Sequence, residues 1–327
     1  MSDLPILSVR NLSKIFGPPV GGVRAVNNVS FDIAKGETYA LVGESGCGKS
    51  TLGRCVTMLE TPSEGEINFQ GQDLTKIPNE GLRRIRRDLQ MIFQDPYGSL
   101  NPRKTVGSIL SEPMRIHSLY PRSAWADQVG QVLAEVGLLP VHAQRHPHEF
   151  SGGQRQRISI ARALTLKPKL IVSDEAVSAL DVSVQSQILN LMVRLQKDHG
   201  MAYLFISHDL GVVQHISDRV GVMYLGRIVE SANTRDLFRA PRHPYTRSLL
   251  SAVPKMGRRS NPDREFLQGE LPSPLNPPSG CTFHPRCPLK SDLCVSAVPE
   301  MREIEAQRKI ACHHPLEDKP SAVINAA

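Results

Sequence analysis

No stretch of this 327-residue chain approaches the ~18 to 20 uninterrupted apolar residues of a membrane-spanning helix, so nothing in its hydropathy marks a transmembrane segment. Met1-Ser2-Asp3-Leu4-Pro5 has neither the basic nor the apolar region of a signal peptide. The chain is therefore expected to stay in the cytosol unless a partner holds it at a membrane. Long basic blocks are missing too. A net charge of +7 and a pI near 9.2 suit nucleic acid, anionic lipid or nucleotide phosphates equally. The densest cluster, Arg83, Arg84, Arg86 and Arg87, alternates with Leu82, Ile85 and Leu89 at helical spacing and reads as a solvated helix face. There is no long heptad run and no Cys-x₂₋₄-Cys pair of the kind structural zinc uses. What remains, 40% apolar and 22% charged residues, is the composition of a globular protein with room for a core domain and an appendage.

The most informative stretch is Gly43-Glu44-Ser45-Gly46-Cys47-Gly48-Lys49-Ser50-Thr51. It follows the apolar run Tyr39-Ala40-Leu41-Val42 and leads into Leu52-Gly53-Arg54-Cys55-Val56. This is the G-x-x-x-x-G-K-[ST] pattern between a strand and a helix, the context in which the pattern means phosphate binding. Glycines let successive N–H groups turn toward phosphate oxygens, and the helix beginning near Lys49 adds its positive end. Lys49 supplies a point charge for the β and γ phosphates. Ser50 supplies a hydroxyl for Mg²⁺, with Thr51 beside it. Cys47 fills a free position of the pattern, and Cys55 reads as a buried apolar side chain.

Elsewhere the pattern alternates between strand and helix. Residues 6–10 and 26–33 read as half-buried strands, with a Gly/Pro-rich loop at 17–22 between them. Phe16, just before that loop, is placed either to stack on an adenine ring or to join the core. Short strands are expected at 65–71, 89–94, 170–173 and 202–206, and helices at 155–166 and 184–196. The region from Leu100 to Leu139 reads as helices punctuated by Pro102, Pro113 and Pro121, a helical insert in an α/β core. Repeated strand–helix units imply a largely parallel sheet with chemistry at the carboxyl ends of its strands.

Candidate chemical groups fall at those ends. Asp174 closes an apolar strand and suits Mg²⁺ as the acidic partner of Ser50; Glu175 suits polarisation of an attacking water. Gln94 could serve the Mg²⁺ or the water, and His208 the γ-phosphate. Ser151, Gly152, Gly153 and Gln154 open a helix whose first amides form a second anion site.

In order and spacing, Gly43 to Thr51, Gln94, Ser151 to Arg155, Leu170 to Glu175, Ser178-Ala179-Leu180-Asp181 and His208 resemble the ATP-binding-cassette ATPases. The Ser-Gly-Gly-Gln signature makes the resemblance specific. It implies a phosphate-loop α/β fold: a mixed-sheet core with an antiparallel β subdomain and a helical subdomain at about residues 100–165. It also implies ATP and Mg²⁺ as cofactors, with Asp181 among the nucleotide contacts. Two cassettes close head to tail around two ATP molecules, the signature of one capping the γ-phosphate held by the other. The family usually has proline where this chain has Ala176. Alanine loosens the turn that carries Glu175, and hydrolysis is expected to be retained.

Further motifs, Gln94 to Arg103, His243-Pro244-Tyr245-Thr246, Leu249 to Pro254 and Gly269 to Pro274, resemble the ATPase subunits of bacterial dipeptide and oligopeptide permeases. That resemblance implies as partners a paralogous ATPase subunit, two transmembrane permease subunits and an extracytoplasmic binding protein, with no nucleic acid. It places the chain on the cytoplasmic face of the inner membrane. A nucleic-acid- or ribosome-associated cassette ATPase is the alternative.

From Pro254 onward lie eleven of the 25 prolines and four of the six cysteines. The expected division is therefore an ATPase domain at 1–254 and a small domain at 255–327 that does not continue the sheet and is held by something other than a large apolar core. Cys281, Cys287, Cys294 and Cys312 are spaced C-x₅-C-x₆-C-x₁₇-C. Cytosolic location disfavours disulfides, and four thiolates can complete the ligand set of an iron–sulfur cluster. Similarity to the permease ATPases points to [4Fe–4S], with zinc as the alternative and His284, His313 and His314 as further possible ligands.

Overall fold

Residues 4–18, 21–252 and 269–317 are described in this computed structural model. The strands are β1 (Leu7–Phe16), β2 (Val23–Ile33), β3 (Thr38–Val42), β4 (Glu64–Phe69), β5 (Gln72–Asp73), β6 (Leu89–Ile92), β7 (Leu170–Asp174), β8 (Ala202–Ile206), β9 (Arg219–Tyr224), β10 (Arg227–Asn233), β11 (Arg302–Glu305) and β12 (Arg308–Ile310). The chain divides into two compact units. One holds residues up to Leu7, Ile33–Glu37 and Phe69–Ile206; the other holds Ser8–Asp32, Thr38–Asn68 and Ser207 onward.

In the first unit β6, β7 and β8 pair in parallel, with Met91 opposite Val172 and Val172 opposite Leu204. β7 and β8 are buried along their whole length, as near-continuous apolar runs in a parallel sheet should be. The helices Val106–Ile116, Trp125–Glu135 and Gly152–Leu164 form the helical insert. Pro113 lies inside the first of them rather than ending it, at the loss of one backbone hydrogen bond. The helix Val182–His199 stops at Gly200, whose left-handed φ of 65° is the usual C-terminal cap. Helix Asn79–Asp88 carries the four clustered arginines, all exposed, on the solvated face expected of them.

In the second unit β3 pairs in parallel with β9, and β9 pairs antiparallel with β10. A second sheet sets β1 between β2 and β4. Along β2, Val29, Phe31 and Ile33 are buried while Asn28 and Ser30 are exposed, the alternation of a half-buried strand. The tail does continue the sheet, contrary to the expectation from its composition. β12 pairs with β10 (Glu230 opposite Ile310), and β11 pairs with β12. A strand added at an open sheet edge needs only a few free backbone groups on its neighbour, so the three residues of β12 suffice to join β10 and leave β11 outermost, in runs too short to show a strand period in the sequence. The expected boundary at 254/255 lies outside the described residues.

Candidate nucleotide site

The phosphate loop joins β3 to the helix Lys49–Val56 within the second unit. Its glycines are dictated by space as well as by angle. Gly48 has φ 106°, and a Cβ there would lie 2.0 Å from the Ala25 carbonyl oxygen; at Gly43, φ 155°, it would lie 2.2 Å from that of Met223. The side chain of Lys49 is folded back into the loop. Its Nζ donates to the carbonyls of Gly43 (2.8 Å) and Glu44 (3.0 Å), and the residue is only 4% exposed. The Cys47 thiol lies 3.8 Å from the same ammonium, and burial pushes its pKa up despite that neighbour. Cys55 is fully buried, as expected of an apolar side chain. Ser45 and Gly46 are exposed, and Ser50 and Thr51 are half-buried at the helix start.

Phe16 is 40% exposed, so it is not a core residue, and the Lys14 ammonium sits 4.8 Å from its ring centre. His208 is exposed and lies two residues beyond the end of β8 rather than on it.

The first unit carries the acidic groups. Asp174 ends β7 and is buried. Glu175 follows with a left-handed φ of 47°, uncommon for a residue with a Cβ. Its N–H donates to the Ile206 carbonyl at 3.0 Å, and its own carbonyl accepts from the Ser178 amide and hydroxyl. Gln94, also two residues past its strand, donates its side-chain amide to Glu175 Oε2 at 3.0 Å. The structure thus brings Gln94 and Glu175 together, although 81 residues separate them in sequence.

Ser151 caps the helix Gly152–Leu164. Its hydroxyl accepts from the Gln154 amide at 3.4 Å, while the Gln154 side chain accepts from the Ser151 N–H at 3.1 Å. This reciprocal capping box was not foreseen, although Ser-x-x-Gln is its sequence form. At Gly153 a Cβ would meet Val184 Cγ1 at 2.4 Å, so the signature helix packs against the first turn of the helix Val182–His199 with no room for a Cβ unless Val184 shifts. Asp181 caps the helix Val182–His199, accepting from the Val184 amide at 3.0 Å and the Ser183 hydroxyl at 2.7 Å. Those bonds hold its carboxyl below the usual range. Arg155, buried, donates to the Pro147 carbonyl and lies over the exposed Tyr97 ring at 4.0 Å.

In the tail, Cys281, Cys287, Cys294 and Cys312 line one small cavity with Phe283, His243, His284, His313 and His314. All six cysteines are free thiols. Burial pushes the Cys281, Cys287 and Cys312 thiols up, Cys312 to about 12, and proximity to one another adds to the effect. Among the described residues no group of three or more His, Cys, Asp or Glu side chains is already arranged to hold a metal ion.

Fold and loop together define a phosphate-loop nucleotide-binding protein. Sequence comparison narrows this. Residues 26–178 match the family described as ABC transporter, and residues 229–294 match the oligopeptide/dipeptide transporter C-terminal region. The chain is 53% identical over 318 residues to the oligopeptide transport ATP-binding protein AppF of Bacillus subtilis (strain 168), covering 94% of this chain and 97% of that one. It is 51% identical to the di/tripeptide transport ATP-binding protein DppF of Pseudomonas aeruginosa (strain UCBPP-PA14), covering 89% and 90%. Among solved structures, the ATP-binding cassette MJ0796 in a dimeric post-hydrolysis state with ADP and Pi superposes with a TM-score of 0.64 at 27% identity, covering 70% of this chain and 99% of that one. This chain belongs to the ATP-binding-cassette family, in its oligopeptide/dipeptide transporter branch. Among the described residues no helix is long and apolar enough to cross a membrane.

Proposed function

We propose that this chain is the ATP-hydrolysing subunit of a bacterial importer of dipeptides or oligopeptides. It works as a head-to-tail dimer with a paralogous ATPase subunit on the cytoplasmic face of the inner membrane. Two permease subunits form the pathway, and an extracytoplasmic binding protein delivers the cargo. The observation that carries this reading is identity above 50% to peptide-transport ATP-binding proteins along nearly the whole chain, with the phosphate loop formed.

The loop amides from Gly43 to Thr51 bind the phosphates, and Lys49 exchanges its carbonyl partners for phosphate oxygens. The Ser50 hydroxyl, the Gln94 side-chain carbonyl and the Asp174 carboxylate are hard oxygen donors that suit Mg²⁺, which when bound neutralises charge developing on the phosphates. Glu175 takes a proton from the attacking water; Gln94 keeps its carboxylate oriented through the observed hydrogen bond. His208 contacts the γ-phosphate, and Phe16 stacks on the adenine. The signature residues Ser151 to Gln154, with Asp181, act on the nucleotide of the paralogous subunit. ATP thereby joins two surfaces, and hydrolysis releases them.

We assign residues 1–254 to the ATPase domain and 255–327 to the appended domain. The four cysteines of the latter suit a [4Fe–4S] cluster: they meet at one cavity, all free, and thiolates are the donors such a cluster needs. A cluster there would add stability that a small apolar segment lacks. Zinc is the competing occupant.

Co-expression with the neighbouring permease and ATPase subunits, followed by anaerobic purification, tests the assembly. The expected result is a complex with peptide-stimulated ATPase activity and with iron and acid-labile sulfide in equal amounts. A chain that purifies without membrane subunits and binds nucleic acid in a salt-dependent way would overturn it.

A further inference from the structure

Glu44 occupies a position that the phosphate-loop pattern leaves unspecified. Yet it is held on three sides. Its N–H donates to the Tyr245 hydroxyl at 3.0 Å, its carbonyl accepts from Lys49, and its carboxylate takes a two-pronged grip from Arg286, 2.7 Å from Nη1 and 3.1 Å from Nη2. Arg286 lies 242 residues away in sequence. Its side chain is 5% exposed and that of Glu44 27%, so the pair is largely shielded from water.

Arg286 is fixed from behind. It ends the short turn His284–Arg286 between Cys281 and Cys287, and the Arg286 and Cys287 amides donate to the Phe283 and His284 carbonyls. Phe283 packs its ring 5.3 Å from Tyr224 and 5.4 Å from Tyr245, the residue that caps the Glu44 amide. The cysteine-bearing turn and the phosphate loop therefore share one aromatic cluster and one ion pair. A planar guanidinium fixes the direction of a carboxylate as a lysine ammonium does not.

We propose that Arg286 is a positioning residue for the phosphate loop. The cysteine-bearing tail clamps Glu44 and so sets the loop's affinity for the triphosphate, and bound nucleotide in turn steadies residues 281–287. The reciprocity is required by linkage between binding free energies. The inference rests on ATP being the ligand of this loop.

The test uses the full chain and a fluorescent ATP analogue with Mg²⁺. Arg286→Met and Glu44→Gln should each weaken binding about tenfold, within the usual range for coupled sites. The double variant should bind no more weakly than the weaker single variant, and Arg286→Lys should fall between wild type and Arg286→Met. In wild type, nucleotide should slow amide hydrogen exchange across residues 281–287, and Glu44→Gln should abolish that slowing. Unchanged affinity in a folded Arg286→Met chain, or losses that simply add in the double variant, would overturn the clamp. Should Arg286→Met fail to fold, equal exchange in wild type with and without nucleotide overturns it as well. A wild-type chain that does not bind the analogue at all refutes the nucleotide assignment instead, which separates the two failures.

Discussion

The side-chain amide of Gln94 donates to Glu175 Oε2 at 3.0 Å, tying the loop after β6 to the residue after β7. The bond leaves the carboxylate an acceptor with a fixed direction. A group that must take a proton from water at one moment of a cycle gains from such orientation.

Glu175→Gln removes the carboxylate proposed as the base while keeping the shape of the side chain. Turnover should fall by about 10²- to 10⁴-fold, the usual contribution of a positioned base, with ATP binding retained. In the assembled transporter this variant should accumulate a closed, ATP-bound dimer. Phosphate release and size-exclusion chromatography with ATP check both parts, and wild-type-like hydrolysis would remove Glu175 from its role.

Gln94→Glu replaces the donor with a second carboxylate about 3 Å from the first. Two such groups resist being ionised together. The acidic limb of the pH–rate profile should therefore change in shape, because the two carboxylates share protons and titrate as a pair rather than as one group. A profile that superposes on the wild type would show that the observed hydrogen bond does not bear on the reaction.

Lys49→Ala deletes the ammonium that bonds to the Gly43 and Glu44 carbonyls. Losing one charge-assisted phosphate contact of about 1.5–3 kcal/mol should weaken ATP binding by roughly 10- to 150-fold. Titration calorimetry with ATP and Mg²⁺ reads this directly, and affinity within twofold of wild type would contradict the assignment.

Ser151→Ala removes one half of the capping box formed with Gln154. The expected cost is about 1 kcal/mol, read as a fall in Tm of roughly 2–4 °C for a domain of this size. If Ser151 also acts on the neighbouring subunit's nucleotide, ATPase activity of the heterodimer should fall by much more than the stability loss explains. A variant with lowered Tm and full activity would leave Ser151 a cap alone.

The local structure was legible in the sequence because it is written in contiguous residues. Gly43 to Thr51 specify a phosphate loop through backbone angles, and the apolar runs of β7 and β8 specify buried strands through period and length. Ser151 to Gln154 specify a helix start. The relations decided by tertiary structure join residues that share no local pattern. Gln94 meets Glu175, Arg286 grips Glu44, and β12 extends the sheet from a proline-rich tail. The physical reason is that a motif is read from one segment's own torsions and period, whereas an ion pair or an edge-strand pairing depends on where the packed chain sets two distant segments.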